Sequence, residues 1–403
     1  MPLRLLLLLP TSPLPVFSGG RVRMFEVVRR LARRHEVSVA GFWRNEEARR
    51  GWQQLGRELN IEVQAVPFTR LRPDRRLPGL LRRRWQGWRQ GEPGDAGAWD
   101  QPAMHAALRR MMAGQRFDLL QVEWPYLAPY ALTTPQLPRL LITHDIFSVA
   151  LARRAGLAAG RQQKRLEREA AAWASYESRI YPQFQAVAAM SAEDAAVIRQ
   201  RAPAANVVVL PNGVDTAHFT PGEIRPQPRH LIFVGSPTHV PNLDAACWLL
   251  NELWPELRRR RPDLRLTLVN LDHPQVRKLQ QPGVEISGRL PDLRPVYGQA
   301  DLAIVPLRAG SGTRLKILEA FAAGLPVVST PVGHEGLEVV PGRHLLSAEN
   351  GPALIEAIET LLDDVELRRR LAANARQLAV SRYDWELIVD QHDAIYHQLC
   401  QRP

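Results

Sequence analysis

The chain of 403 residues is too long for one ordinary core and suits two domains of roughly 150–200 residues each. An apolar fraction of 45% and a charged fraction of 23% are ordinary for a globular protein and exclude the disordered and fibrous classes. The net charge of +12 favours anionic partners, which include phosphates, nucleic acid and anionic lipid.

The apolar run near the beginning of the chain is too short for the core of a secretory signal. The run Leu5–Leu9 falls below the roughly 7–15 residues of a signal core, and Pro10 ends it. It is typical of a buried strand of a parallel sheet. No stretch reaches the roughly 18–20 apolar residues of a transmembrane helix. Cys247 and Cys400 lie far apart without metal-ligand spacing, so we expect a cytoplasmic protein, at most peripheral on the inner face of the membrane.

Short apolar runs alternate with amphipathic stretches along the first half, which favours a doubly wound parallel sheet. Helices are predicted over Val22–Arg34 and Arg161–Ile180. Ser18, Gly19 and Gly20 separate the first strand from the first helix, and His144 follows the fourth strand. A glycine pair is often an ordinary turn, and an isolated histidine is often structural. The residues alone therefore leave open whether these positions are structural or functional. The predicted strands are Leu3–Leu9, Glu36–Ala40, Leu119–Glu123, Leu140–Thr143, Ala186–Met190 and Val207–Leu210.

The stretch Arg70–Arg89 is strongly basic. It contains eight arginines against one acid, Asp74, with Trp85 and Trp88 interleaved. One interpretation is a solvated surface. The other is an anionic membrane surface as partner, with tryptophan at the interface and arginine at the headgroups.

The segment Thr220–Pro228, with three prolines and a glycine, is the best candidate linker. The alternation of strands and helices restarts after it. We therefore predict two Rossmann-like domains of residues 1–220 and 221–383 that face each other across a cleft, with residues 384–403 crossing back onto the first. The elements predicted after the linker are the strands Leu231–Val234, Arg265–Val269, Val284–Ile286, Leu302–Val305 and Pro326–Ser329, and the helices Leu243–Arg260, Arg314–Ala323, Ala353–Leu362, Val365–Val380 and Trp385–Leu399.

The most informative stretch runs from Val305 to Thr330. A strand ends at Pro306, a loop with two glycines follows, and a helix is predicted to begin near Thr313. Free N–H groups and the positive end of the dipole make such a helix start an anion site. The charges of Arg314 and Lys316 add to it, and the Glu319 carboxylate can accept hydrogen bonds from a diol such as ribose. From the residues alone, an ordinary turn with a solvated glutamate is an equally open interpretation.

This stretch resembles the donor-binding signature of retaining GT-B glycosyltransferases of the group 1 family. That signature has two glutamates separated by seven residues. Ser311 occupies the position of the first glutamate, and the form Gly-Thr-Arg-Leu-Lys is similar to a sub-branch that lacks this acid. The positions that match the remainder of the signature are Glu319, Ala320, Gly324, Pro326, Val327 and Val328.

Two further segments carry the resemblance. Phe233–Pro237 is similar to the opening strand and loop of the nucleotide domain, and Val284–Gly288 to the strand whose following backbone cradles the base. Many members place an arginine and a lysine for the diphosphate in the first of these loops. The loop through Asn242 has neither here, so Arg314 and Lys316 are suspected of replacing them.

The resemblance implies a GT-B fold and a transferase that moves a sugar with retention, without a metal or another cofactor. It implies a UDP-, GDP- or similar nucleotide-sugar donor, a glycan or lipid-linked acceptor, and a front-face mechanism assisted by the departing phosphate. The implied catalytic residues are Gly20, His144, Ser311 and Gly312. The implied donor-binding residues are Gly19, Gly235, Gly288, Thr313, Arg314, Lys316 and Glu319.

Three alternatives stay open at this point. Another GT-B enzyme, such as a nucleotide-sugar epimerase, could share the same motifs. The charge alone is also typical of a nucleic-acid-binding protein, but the sequence has no zinc-knuckle, helix-turn-helix or RNP-like motif, so no nucleic-acid partner is expected. Ser311 in place of an acid is compatible with a catalytically inactive binding protein.

Overall fold

The computed structural model describes residues 1–69, 93–134, 136–156, 158–222, 229–310 and 312–401. Arg70–Arg89 and Ser311 lie outside these ranges, so the membrane-surface partner and the role of Ser311 stay predictions. The described chain forms two compact units, the first of Met1–Pro211 with Val389–Pro403 and the second of Asn212–Ile388. No helix within the described ranges is long and apolar enough to cross a bilayer.

The described part of the first unit is built on a seven-stranded sheet with parallel pairing. Its strands are β1 (Arg4–Leu9), β2 (Glu36–Trp43), β3 (Glu62–Pro67), β4 (Leu119–Glu123), β5 (Arg139–Thr143), β6 (Ala186–Ala189) and β7 (Val207–Val209). The spatial order is β3-β2-β1-β4-β5-β6-β7. Successive strands are added on one side of β1 up to β3, and from β4 onward on the other side, so the strand order reverses between β1 and β4. Ligands of such sheets bind beyond the carboxyl ends of the strands at this change of order.

Helices cover this sheet, which explains why its strands are apolar on both faces. Leu5–Leu9 of β1 are at most 1% exposed, as expected for a central parallel strand. The described helices of the first unit are α1 (Gly19–Leu31), α2 (Glu46–Leu59), α3 (Gly94–Trp99), α4 (Pro102–Gly114), α5 (Ala128–Leu132), α6 (Phe147–Gly156), α7 (Gly160–Ile180) and α8 (Ala192–Arg201), with 3-10 turns at Pro125–Leu127 and Tyr181–Gln183.

The second unit has a six-stranded parallel sheet among its described residues. The spatial order of its strands is β10-β9-β8-β11-β12-β13, with the change of direction between β8 and β11. The strands are β8 (His230–Val234), β9 (Arg265–Val269), β10 (Val284–Ile286), β11 (Leu302–Val305), β12 (Val327–Ser329) and β13 (Leu346–Ser347). The helices that follow the linker are α9 (Val240–Trp248), α10 (Trp254–Arg260), α11 (Pro274–Arg277), α12 (Arg294–Gln299), α13 (Leu315–Ala322), α14 (Pro331–His334), α15 (Gly351–Asp363), α16 (Val365–Arg382) and α17 (Trp385–Gln401).

The helix predicted over Leu243–Arg260 is continuous from Val240 to Arg260, but its interior is not regular α-helix. The structure has α9, then a π-helical turn over Leu249–Leu253, then α10. Pro255 lies at the start of α10 and has no amide hydrogen to donate to the carbonyl of the preceding turn. The regular hydrogen-bond ladder is therefore interrupted just before it.

Candidate functional site

The loop after β11 needs glycine at two positions. Gly310 has a φ of 129° and Gly312 a φ of 74°, a backbone region that other residues rarely adopt. Arg314 follows with extended backbone as the residue that precedes α13. The helix therefore begins at Leu315, and its predicted start near Thr313 was wrong by two residues. The N–H groups of Gly312 and Thr313 belong to the loop, and the first helical N–H groups are those of Leu315 and Lys316, since that of Ile317 donates to the carbonyl of Arg314.

Two side chains fix this loop within the second unit. Arg314 is only 7% exposed, and its guanidinium packs against Gly310, where a Cβ atom would lie 2.7 Å from Nη2. Thr313 is buried, and its hydroxyl accepts a hydrogen bond of 2.7 Å from the amide of Asn212. These contacts anchor Gly310, Thr313 and Arg314 at the carboxyl edge of the sheet, with the cation of Arg314 packed against the loop.

Lys316 lies in the first turn of α13 and reaches the first turn of α9, the helix that follows β8. Its ammonium donates a hydrogen bond of 2.8 Å to Oδ1 of Asn242 and lies 4.6 Å from the centre of the Phe233 ring. Burial, with repulsion from Arg314, lowers the pKa of Lys316 to about 7. A lysine from α13 therefore contacts the last residue of the segment Ser236–Asn242, in which the sequence has no arginine or lysine.

Glu319 lies one turn after Lys316 on the same helix. Its Oε2 atom accepts a hydrogen bond of 2.8 Å from the hydroxyl of Tyr297, a residue of α12. Burial raises the pKa of Glu319, and the Tyr297 hydrogen bond and the charge of Lys316 oppose that rise. A carboxylate has about four acceptor positions, so Glu319 retains capacity for a diol.

The other two predicted glycines of this unit, Gly235 and Gly288, differ in how closely their surroundings pack. Gly235 directly follows β8 and lies at a close contact, because a Cβ atom there would lie 2.8 Å from the side chain of Leu271. Gly288 is exposed, and a Cβ atom there would meet nothing within 4 Å. Packing therefore requires a glycine at Gly235 and gives no reason for one at Gly288.

The predicted residues of the first unit meet at one tryptophan. Gly19 and Gly20 are the first two residues of α1, and a Cβ atom on Gly20 would lie 2.9 Å from the ring of Trp124. The same ring stacks on the imidazole of His144, with centroids 3.5 Å apart and planes 3° apart. Trp124 therefore lies between the start of α1 and His144, beyond the carboxyl end of β4.

His144 is 8% exposed, and its Nε2 atom is hydrogen-bonded to the carboxylate of Glu123, the last residue of β4. Burial lowers the pKa of His144, although the Glu123 carboxylate opposes this. The neighbouring Trp124 has a φ of 74° and a ψ of 138°, a conformation that costs a non-glycine residue about 1–3 kcal/mol and is typical of functional sites.

Sequence reasoning missed Glu123 and Trp124 in the first unit and Asn242 and Tyr297 in the second. A signal existed for the first pair, since an acid ends a buried strand and an aromatic residue directly follows it. In the part of the chain that the structure describes, no group of three or more histidine, cysteine, aspartate or glutamate side chains is placed to hold a metal ion.

Residues 17–218 match the family described as Glycosyltransferase Family 4, and residues 228–364 match the family described as Glycosyl transferases group 1. The chain is 28% identical over 206 residues to a glycogen synthase of Mycobacterium tuberculosis, an alignment that covers 48% of each protein. It is 30% identical over 219 residues to a D-inositol 3-phosphate glycosyltransferase of Corynebacterium aurimucosum, which covers 47% of this chain and 51% of that protein. The chain thus spans about half the length of these relatives.

Solved structures match over almost the whole chain. A sucrose-phosphate synthase from Thermosynechococcus elongatus has a TM-score of 0.74 at 19% identity, covering 98% of this chain and 99% of that one. The HepE protein of Anabaena, in complex with UDP-glucose, has a TM-score of 0.67 at 15% identity, covering 98% of this chain and 100% of that one. These likenesses show the GT-B fold. With a family match in each half, the chain belongs to the group 1 glycosyltransferases, within family 4.

Proposed function

We propose that the protein transfers a sugar from a nucleotide-diphosphate donor to a glycan or lipid-linked acceptor, with retention and without a metal or another cofactor. The observation that carries this proposal is the arrangement at the start of α13. Two partly or fully buried cations, Arg314 and Lys316, lie beside a glycine-rich loop, and the Glu319 carboxylate follows one turn later. Cations suit a diphosphate, and an acceptor-only carboxylate suits the hydroxyl groups of a ribose.

In this proposal the second unit holds the nucleotide and stabilises the leaving group. Arg314, Lys316 and the N–H groups of the first turn of α13 neutralise the charge that develops on the departing diphosphate. The acceptor oxygen bonds to the anomeric carbon as the bond from that carbon to the diphosphate oxygen breaks. The acceptor proton moves to a departing phosphate oxygen, so no enzyme nucleophile is needed. His144 and Gly20 of the first unit are the proposed contacts of the transferred sugar.

A panel of nucleotide sugars tests the proposal, beginning with UDP-glucose because HepE, which shares the fold, is described in complex with it. A ligand at a hundred times its Kd stabilises the protein by about 2.7 kcal/mol, which thermal unfolding detects. The matching donor is then offered with glycan and lipid-linked acceptors in the presence of EDTA, and proton NMR determines the anomeric configuration of the product.

A different experimental result would contradict each part of the proposal. Unchanged unfolding with every nucleotide sugar would contradict donor binding. Conversion of the donor without any acceptor would identify an epimerase or a hydrolase. Activity abolished by EDTA and restored by Mn²⁺ would contradict the metal-free mechanism.

The lowered pKa of Lys316 predicts that affinity for a nucleoside diphosphate falls as the pH rises from about 7 to 9. The empty site loses the ammonium proton above a pH of about 7, whereas a bound diphosphate favours the charged form. Binding above pH 7 must therefore take up a proton, and the affinity decreases by up to about tenfold per pH unit. Calorimetry at pH 8, in two buffers of different ionisation enthalpy, should show an uptake close to one proton.

The control for this prediction is Lys316→Met, which retains the titration of the nucleotide itself and removes that of the lysine. The variant should bind more weakly, without the proton uptake. A wild-type affinity that is flat over the same pH range would show that Lys316 does not titrate at the diphosphate.

A further inference from the structure

Glu123 is a buried carboxylate with a hydrogen bond on each of its oxygens. It is 3% exposed, and Oε1 accepts a bond of 2.6 Å from Nε2 of Gln121, two residues earlier on β4. Oε2 is bonded to Nε2 of His144. An ionised carboxylate can only accept hydrogen bonds, so the imidazole must present a proton on Nε2.

Behind Gln121 the hydrogen bonds continue through side chains that are at most 1% exposed. The Tyr396 hydroxyl donates to Oε1 of Gln121. The oxygen of the same hydroxyl lies 3.2 Å from Nδ1 of His392, and Nε2 of His392 lies 3.4 Å from Nη2 of Arg23. Arg23 also donates to the carbonyl of Pro211 at 2.6 Å.

The chemistry of the two ends sets the direction of every bond between them. A guanidinium can only donate, so Nε2 of His392 must accept from Arg23 and Nδ1 must donate to Tyr396. Burial, with the charge of Arg23, places the pKa of His392 well below its ordinary value, so the ring is neutral, as this pattern requires. From Arg23 to the Glu123 carboxylate, each group therefore donates to the next.

We propose that Glu123 is a positioning residue which, held by Gln121 and Tyr396, fixes His144 as the neutral tautomer with its proton on Nε2. Nδ1 of His144 is then an acceptor for a hydroxyl group of the transferred sugar. The part that concerns the sugar rests on the proposed function, whereas the tautomer does not. Stacking on Trp124 fixes the plane of the ring, and the hydrogen bond to Glu123 fixes its rotation within that plane.

Nitrogen NMR of the histidine-labelled full chain, without substrate, tests the tautomer directly. The signal that disappears in His144→Asn assigns the ring. In the wild-type protein at pH 7, we expect a protonated Nε2 and an unprotonated Nδ1. A proton on Nδ1 alone, or on both nitrogens, would overturn the proposal without the need for any Glu123 variant.

The isosteric variant Glu123→Gln should move the proton to Nδ1. Gln121 continues to donate to the carbonyl of the new amide, because the Tyr396 hydroxyl fixes the orientation of Gln121. The NH₂ group of the new amide must then face His144, and Nε2 of the ring becomes the acceptor. An unchanged tautomer in a folded variant would contradict the role of Glu123.

Exchanging the two side chains provides the rescue. In the double variant Gln121→Glu and Glu123→Gln, the carboxylate at position 121 accepts from Tyr396 and from the amide at position 123. The amide carbonyl then faces His144, and the proton should return to Nε2. The matched control is Glu62→Gln, which makes the same charge change on β3, where Glu62 is exposed and bonded to Ser38 and Gln115. That control should leave the His144 signals unchanged.

Transfer activity provides an independent measurement. With a donor that the wild type uses, Glu123→Gln should lower kcat by about 10²-fold, as expected for a misplaced catalytic-site contact, and the exchanged variant should recover most of it. Loss of activity in Glu123→Gln without recovery in the exchanged variant, where NMR shows Nε2 protonated again, would overturn the positioning role. If the wild type uses no donor while the tautomers behave as described, the proposed function fails and the role of Glu123 in setting the tautomer stands.

Discussion

Replacing Arg314 and Lys316 together with methionine is expected to weaken nucleoside-diphosphate binding by about 10²–10⁴-fold. Hydrogen bonds to charged groups contribute about 1.5–3 kcal/mol each, and two are removed. Methionine keeps most of the volume of both side chains, which matters because Arg314 is 7% exposed. Titration calorimetry with the diphosphate and with the nucleoside alone measures the effect, and the nucleoside should lose little.

The matched control for this pair is Arg308→Met. Arg308 belongs to the same loop after β11, but its guanidinium pairs with Asp244 at 2.6 Å on the surface. This variant removes the same type of charge and should bind the diphosphate as the wild type does. Equal losses for nucleoside and diphosphate in the double variant would show that Arg314 and Lys316 face another ligand.

The second large effect is expected at Glu319. Glu319→Ala should weaken binding of the donor nucleotide by about 10–10²-fold for each hydrogen bond to the carboxylate that is lost. The wild type should prefer a ribonucleotide over its 2′,3′-dideoxy analogue by a similar factor, whereas the variant should bind the two alike. Calorimetry with both nucleotides closes this cycle and isolates the ribose contact.

Removing a carboxylate elsewhere in the same unit controls for the change of charge. Glu285 is exposed on β10, and Glu285→Ala should retain the preference for the ribonucleotide. Should Glu319→Ala keep that preference in a folded protein, the carboxylate would not contact the ribose. Tyr297→Phe, which removes the hydroxyl that holds Glu319, is expected to produce a smaller loss of the same kind.

Strands could be predicted from the sequence where a short apolar run has a clear limit at each end. The strands β4, β9, β10 and β11 have their predicted bounds for this reason. β3 was not predicted because its apolar signal is weak. It forms one edge of its sheet, and only Val66 of its residues is buried. β13 has two residues, which is too few for any periodicity.

Helix α2 was missed although its end signals are present. Asn45 accepts a hydrogen bond from the N–H group of Ala48, and two glutamates occupy the first turn. Asn60 ends the helix with a φ of 52°. The signals that begin and end this helix were therefore present in the sequence.

The residues of the candidate site also fall into two groups, those that the sequence identifies and those that only the fold brings together. The loop and the charges of Arg314, Lys316 and Glu319 lie within ten residues of sequence, so local spacing could identify them. The partners Tyr297 and Asn242 lie 22 and 74 residues from the side chains that they bind, and only the folded sheet brings them to α13. The effect of Glu123 on His144 could not be predicted either, because it depends on parallel pairing of β4 with β5.

The hydrogen bonds from Tyr396 and His392 into the first unit have a consequence for synthesis on the ribosome. Domains generally fold as units while the chain grows, but residues 389–401 of the first unit follow the whole of the second. At about 5–20 residues per second, the ribosome needs about 10–40 s to proceed from Pro211 to Tyr396. During that interval the nascent first unit lacks the Tyr396 hydroxyl that donates to Gln121 and the His392 ring that accepts from Arg23. The first unit can therefore be completed only after residues 212–388 of the second unit have been synthesised. Until then the incomplete first unit is the part of the chain that a chaperone would protect.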